Sequence, residues 1–330
     1  MKFKKNSEFE LINEIVKKLP KNNRQIIKGI GDDAAVIKKN NDKCFLYTCD
    51  SQVNGVHFSE KYSSPHQIGR KTVAVNFSDI AAMGGIPKYI LVSLFLPVKT
   101  NKKFIDELYD GIYEECGKYK THIIGGNISK SNQLSVDIFC IGEISSKDIL
   151  FRSGAKVKDL VFVTGSLGKS AAGLKLLKNT KIKIPEKDRS ILISKHLMPT
   201  PRINEGNKIA QSRKANAMID ISDGLSSDLG HICEESKVGV KIFSEKLPIS
   251  GSLKKFAKLT GESYVDLVLN GGEDYELCFT APNKYKSYLM KAIRKLTVIG
   301  EIIPQAEGKC LIDQNGKTIK LESKGWDHLL

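Results

Sequence analysis

The chain lacks any apolar run approaching the roughly 20 residues that a membrane-spanning helix needs, which argues against a membrane protein. Its basic start, Met1-Lys2-Phe3-Lys4-Lys5-Asn6, has no apolar core or small-residue cleavage site behind it, so no signal peptide is expected and the cytoplasm is the expected compartment. Paired cysteines are missing too. The seven cysteines stand at 44, 49, 116, 140, 233, 278 and 310, an odd number with no CxxC and no regular spacing, which argues against disulfides and zinc alike. Most lie in apolar stretches such as Phe139-Cys140-Ile141, where a free cysteine is a small core residue; Cys49, beside Asp50, is the exception. The net charge is +15, yet no long basic block and no aromatic-basic interleaving accompanies it, so nucleic acid is not an expected partner. A lysine-rich surface attracts anionic metabolites equally well. A phosphate-binding P-loop is also absent. Gly165-Ser166-Leu167-Gly168-Lys169-Ser170 ends like one, but the first glycine of the GxxxxGK[ST] spacing falls on Val163, which leaves a strand-to-helix turn.

At 330 residues the chain exceeds the roughly 250–300 at which a single core stops growing, so two domains are expected. The division falls near 148, giving 1–148 and 149–330, where Ser145-Ser146-Lys147-Asp148 breaks the pattern. An opening helix fits Phe9, Leu11, Ile12, Ile15, Val16 and Leu19, which share one face. Strands are expected at Ala35-Val36-Ile37 and Phe45-Leu46-Tyr47, and where Leu134, Val136 and Ile138 alternate with polar residues. Helices are expected over 66–83, stopped by Gly84-Gly85, and over 102–118. A second series follows: strand 160–164, helix 170–177, strand 217–220, helix 226–235, strand 238–243, helix 284–296 and strand 297–302. The class is α/β, built from two α+β halves.

Five short acidic clusters punctuate this framework: Gly31-Asp32-Asp33, Cys49-Asp50, Ser78-Asp79, Asp220-Ile221-Ser222-Asp223-Gly224 and Gly271-Gly272-Glu273-Asp274. Glycine lets the backbone turn sharply and approach a ligand closely, and carboxylates are the hard oxygen donors that Mg²⁺ shares with phosphate. Carboxylates alone would repel a polyphosphate, so the pattern suggests a magnesium-nucleotide site. For any one cluster, Asp and Gly marking a turn is the plain alternative; five together weaken it.

Read in order, the motifs resemble the thiamine-monophosphate kinases of the aminoimidazole-ribonucleotide synthetase-like superfamily along nearly the whole chain. The segments that carry the match are GIGDDAAVI (29–37), Asp50 with NGVHF (54–58), AVNFSDIAAMG (74–84), Gly125-Gly126-Asn127, RSGAKV (152–157), HLMPTPRI (196–203), IDISDGL (219–225), GGEDYEL (271–277) and GWDH (325–328). The resemblance implies transfer of the ATP γ-phosphate to the phosphate of thiamine monophosphate, giving thiamine diphosphate. It also implies several Mg²⁺ ions and no covalent nucleophile, because such transfer rests on holding two anionic phosphates in line with their repulsion cancelled. The fold it implies has an N-terminal ATP- and Mg-binding domain whose sheet forms a barrel across a homodimer, a C-terminal α+β domain, and substrates in the cleft between them.

Position by position, the resemblance implies metal ligands at Asp33, Thr48, Asp50, Asp79, Asp220 and Asp223, with Asp32 as a helper behind them. Cys49 and Asn127 occupy metal-ligand positions where the family usually has a hydroxyl residue and Asp. Asn127 keeps a carbonyl oxygen but lacks the charge, so one metal is expected to bind more weakly. Gly126, Asn127, Arg152 and Ser222 match positions near the ATP phosphates, and Tyr109 is a candidate nucleotide contact that fits surface or core equally. His57, Glu273 and Trp326 match the thiamine side, where the single tryptophan would stack on the cationic ring or the pyrimidine. Each has a plainer role: Trp326 as packing near a terminus, His57 as a half-buried histidine, Asp79 as a capped turn. Relatives of the same architecture fit worse. Residues 1–30 lack the reactive Cys or selenocysteine, followed by a lysine in a glycine-rich loop, of a selenophosphate synthetase; the chain end lacks the cysteine of the hydrogenase-maturation relative; and the purine-synthesis relative lacks the Gly-Trp-Asp-His ending and the Gly-Val-His-Phe segment. A degenerate copy that binds nucleotide without turnover is the non-enzymatic alternative, motivated by Cys49 and Asn127.

Overall fold

The computed structural model describes residues 8–18, 23–322 and Gly325. The first half runs α1 (Glu8–Val16), β1 (Ile26–Lys28), β2 (Ala35–Lys38), β3 (Lys43–Val53), α2 (Pro65–Ala82), β4 (Ile86–Leu96), α3 (Lys102–Tyr119), β5 (His122–Lys130) and β6 (Ser135–Ser145). The second begins β7 (Asp159–Thr164), α4 (Lys169–Lys178), α5 (Glu186–Leu197), α6 (Ile203–Ser212), β8 (Ala217–Asp220), α7 (Leu225–Ser236) and β9 (Gly239–Phe243). It continues α8 (Gly251–Thr260), α9 (Tyr264–Asn270), β10 (Leu277–Pro282), α10 (Lys286–Ala292), β11 (Leu296–Ile303), β12 (Lys309–Ile312) and β13 (Thr318–Lys320).

Each half builds one mixed sheet. The first has strand order β1-β2-β3-β6-β4-β5, with only β4 and β5 parallel. The second has order β13-β12-β9-β11-β7-β10-β8, with only β12 and β9 parallel. Along β3 the side chains alternate as a half-buried strand requires: Cys44, Leu46 and Thr48 face the core, while Phe45 and Tyr47 lie on the other face.

Helix α2 positions the site. It starts at a capping box, in which Ser64 Oγ accepts from the Gln67 N–H and Gln67 Oε1 accepts from the Ser64 N–H, with Pro65 in the first turn. It stops at Gly84, whose φ of +80° only glycine takes without strain, and where a Cβ would run into Ala210. Between these ends nearly every residue is buried, as expected of a helix covered on all sides. Its Phe77 and Ile80 join Leu46 and Ile138 of the first sheet and Phe162 and Phe279 of the second in one continuous core. A second core, around Leu176, Ile219, Leu229 and Phe256, belongs to the second half alone.

Most expected elements form where the periodicity places them. The helix expected over 284–296 is shorter: a 3₁₀ turn precedes α10, which ends at Ala292 because Lys295 turns left-handed (φ 56°) to enter β11. The opening helix ends at Val16, and Leu19 lies outside the described residues. Strands β4 and β5 were not foreseen. The IPKYILVSLFL run of β4 is too uniformly apolar to announce a strand period. Among the described residues no helix is long and apolar enough to cross a membrane.

Candidate active site

A cleft of about 1270 Å³ is lined by both halves. Asp33, from the loop before β2, Asp79 of α2 and Asp220, the last residue of β8, each place a carboxylate oxygen within 4.8 Å of the others. Short hydrogen bonds fix two of them. Thr48 Oγ1 donates to Asp79 at 2.5 Å, and Ser78 Oγ donates to Asp220, across the two halves, at 2.5 Å. Arg152 Nη2 donates to Asp33 Oδ1 at 2.8 Å, while the other oxygen, Oδ2, is buried without a hydrogen-bond partner. Asp32 accepts the Arg152 backbone N–H at 3.2 Å and so orients it from behind.

Electrostatically this cluster is under-compensated. Burial, then the neighbouring Asp33, pushes the Asp220 carboxyl up to about 8. Burial, then Asp50, Asp220 and Asp33, pushes Asp79 well above the carboxylate range. Asp32 is pushed up to about 7 by burial and by Asp33. The donor set is all hard oxygen and one buried oxygen is orphaned, so the residues fit a divalent cation such as Mg²⁺.

Asp50, Ser222 and Asp223 line the same cleft, as does exposed Cys49. The Asp50 N–H donates to Oδ1 of buried Asn76 at 3.0 Å. The N–H groups of Asp223 and Gly224 donate to Asp228 at 3.2 and 3.0 Å, which shapes that turn.

His57 and Glu273 line the same cleft. His57 Nδ1 accepts the Val53 N–H at 3.1 Å, which leaves Nε2 as the proton-bearing nitrogen of the neutral ring. Glu273 adopts φ 63°, and its N–H donates to the Ser222 carbonyl at 2.6 Å. The preceding Gly272 cannot be replaced freely, because a Cβ there would lie 2.5 Å from the same carbonyl oxygen. Glu273 contacts Lys71 Nζ at 2.7 Å and His196 Nδ1 at 3.0 Å.

Three expected site residues stand apart. Gly126 and Asn127 lie exposed on β5 and do not line the cleft; Asn127 Nδ2 donates to Ser129 Oγ at 3.0 Å. In register, Asp50 faces Ile138, then Val92, then Gly126, so Gly126 lies three strand spacings away, about 14 Å along the sheet. Tyr109 packs on the first core, with its ring 6.0 Å from that of Tyr113. Trp326 lies outside the described residues, although neighbouring Gly325 lines the cleft.

The P-loop lookalike is a strand-to-helix turn between β7 and α4. The N–H groups of Gly168 and Ser170 donate to the buried Asp274 carboxylate, so the chain itself fills the position a phosphate would take at this helix start. Sequence reading missed Lys71, His196 and Gln52. Gln52 is 4% exposed and lines the cleft with its Oε1 unpartnered. The available signal was a lysine leading the TVAVNF run, a polar group that burial would force to find a partner.

The comparisons cover the whole chain. Residues 31–144 match the family model of the AIR synthase related protein, N-terminal domain, and 156–313 that of the C-terminal domain. The chain is 42% identical to the thiamine-monophosphate kinase of Buchnera aphidicola subsp. Schizaphis graminum, over 98% of this chain and 99% of the relative. It is 40% identical to that of Aquifex aeolicus over 99% and 100%. Its fold superposes, with a TM-score of 0.88, 38% identity and 99% of both chains covered, on a solved structure described as AaThiL complexed with AMPPCP and TMP. The fold is therefore the two-domain AIR synthase-like one, with mixed α/β sheets. Carrying both domains of that fold and matching these kinases end to end, the chain belongs to the thiamine-monophosphate kinase family.

Proposed function

We propose that the chain transfers the γ-phosphoryl group of ATP to the phosphate of thiamine monophosphate, giving thiamine diphosphate and ADP. One observation carries this reading: a single cleft is lined both by a cluster of under-compensated carboxylates and by a compensated Glu273 with His57. The relative bound to AMPPCP and TMP supports it, since those are a non-transferable ATP analogue and the abbreviated acceptor.

Mg²⁺ held by Asp33, Asp79 and Asp220, with Asp50, Thr48 and Asp223 beside them, would cancel the charge on the two phosphates. Arg152 supplies a guanidinium beside the cluster, and its fork matches a phosphate as well as it matches Asp33. The Ser222 hydroxyl and the Asp223 turn face the same region. His57 and Glu273 hold the acceptor in line, and no covalent nucleophile is required. Trp326 is kept as the candidate stacking residue, and Tyr109 as a nucleotide contact.

We further propose a homodimer through the first sheet. Its outer face carries Tyr47 stacked on Phe139, with ring centroids 5.8 Å apart, and its edge strand β5 exposes Ile124 and Ile128. A nine-residue unpaired edge that carries three isoleucines needs covering. In a two-fold pair, Gly126 and Asn127 on that edge are the residues one copy presents to the other. The working division stays at 1–148 for nucleotide, metal and dimer contacts and 149–330 for the second domain. The cytoplasm, where ATP is available, stays the expected compartment.

The test is chromatographic detection of thiamine diphosphate after mixing protein, ATP, Mg²⁺ and thiamine monophosphate, with free thiamine as a parallel acceptor. Product from the monophosphate alone is expected. Saturable ATP binding without product would favour the degenerate binder instead.

A further inference from the structure

Lys71 is a cation buried to 3% exposure, followed along α2 by a run of buried residues. Taking an ammonium out of water costs several kcal/mol unless partners compensate it, so a buried lysine is informative through what it touches. Its Nζ donates to the His57 backbone carbonyl at 2.9 Å and pairs with Glu273 Oε1 at 2.7 Å. Those are the two described residues assigned to the acceptor. One follows β3 of the first half, and the other precedes β10 of the second.

Glu273 itself is unusual. It is a non-glycine residue in the left-handed region, a conformation that persists only where the surroundings fix it. Its second oxygen meets His196 Nδ1 at 3.0 Å, and that nitrogen also lies 3.1 Å from Ser170 Oγ. Two helices therefore meet on one carboxylate, α2 of the first half through Lys71 and α5 of the second through His196, which Ser170 of α4 contacts in turn.

We propose that Lys71 is the positioning residue of the acceptor site, a buried cation that locks Glu273 of the second half and the His57 loop of the first into one geometry. This inference rests on the reading of the cleft given above. The locked carboxylate is also kept ionised. Burial alone would raise it, but Lys71 and then His196 hold it down at about 2. The other titratable groups facing it are Tyr62 and Tyr275, both pushed up, by burial first and then by the Glu273 charge. Glu273 is thus a fixed negative pole for the acceptor and no proton carrier.

The experiment is steady-state kinetics of full-length Lys71→Met beside the parent protein, with ATP, Mg²⁺ and thiamine monophosphate. The acceptor KM should rise about tenfold or more while the ATP KM stays within about twofold, the pattern of lost acceptor binding. Without the lysine, Glu273 gains a proton more readily, so the variant's acceptor KM should also climb as pH falls, steeply relative to the parent. Equal changes in both KM values, or a fall in kcat alone with an unchanged pH profile, would overturn the proposal. Lys71→Met combined with Glu273→Gln removes both charges and guards against a misfolded single variant. Melting temperatures of the two singles and the double form a cycle that needs no substrate. A double variant no worse than the worse single is expected; strictly additive losses sink the lock, whatever the parent does with thiamine monophosphate. Absence of product from the parent would speak against the functional reading alone.

Discussion

The cleft treats two sets of carboxylates in opposite ways. Asp33, Asp79 and Asp220 crowd one another with Arg152 as the nearby cation, and burial and mutual repulsion drive Asp79 and Asp220 upward. Glu273 is matched by Lys71 and His196 and is held down at about 2. A compensated carboxylate is finished when the chain folds. An under-compensated cluster is incomplete until a cation arrives, so the fold carries stored repulsion in one set and stored order in the other.

The largest effect that would break this contrast is on turnover. Asp220→Asn should lower kcat by about a thousandfold, because losing a carboxylate that would hold Mg²⁺ forfeits several kcal/mol of transition-state stabilisation. The same change should raise the melting temperature in Mg²⁺-free buffer above about pH 8, where the carboxyl is otherwise charged, since it removes repulsion. Activity and thermal stability measured on one preparation check both; loss of stability without metal would show that Asp220 is a structural carboxylate like any other.

Next in size is the response to pH, where the two sets have opposite signs. The Asp220 carboxyl lies at about 8 in the fold and 3.8 unfolded, so its favourable contribution is complete below about 4 and is lost as pH rises through 8. Glu273, lowered from 4.5 to about 2, contributes fully above about 4.5 and loses that contribution only as pH falls through 2. Lowered His196 and His231 act near and below their ordinary 6.5, so the clean window is about pH 7–8.5. There the metal-free protein should lose stability with rising pH, and Mg²⁺ should flatten the curve. Parallel melts in chelator and in Mg²⁺ check it; identical slopes would mean that the cluster holds no cation.

The contrast also sorts what the sequence made legible. Asp33, Asp50, Asp79, Asp220 and Asp223 each sit in a short motif whose glycine, serine or neighbouring acid announces a turn or a ligand, and all five line the cleft. The compensation was illegible. Lys71 read as an ordinary charged position in a helical stretch and His196 only as the start of the HLMPTPRI segment, and their contacts with Glu273 join segments far apart in the chain. The burial of α2 from both sides followed from the second sheet packing on it, a tertiary fact that periodicity along one helix does not encode. Strands and helices with a clear period were placed well, whereas the uniformly apolar β4 and the short α9 were not.

The smallest expected effect concerns a third region, the β5 edge. Asn127 stands where the resemblance implies an aspartate, yet along the sheet it is separated by β4 and β6 from β3, which carries Thr48 and Asp50, and it is exposed. If it stays alone in solvent, Asn127→Asp adds one screened surface charge and leaves the Mg²⁺ dependence of turnover unchanged, because exposed charges a Debye length apart barely interact. If two copies pair through β5, the new carboxylate is carried to a cleft-bearing surface and should lower the Mg²⁺ concentration for half-maximal turnover by about two- to fivefold, the gain from one added charged oxygen ligand. Titrating Mg²⁺ against turnover at two protein concentrations, one above and one below the dimer's dissociation range, separates the cases. A shift only at the higher concentration places a metal within reach of the paired edge; no shift at either confines metal binding to the cluster that one chain builds by itself.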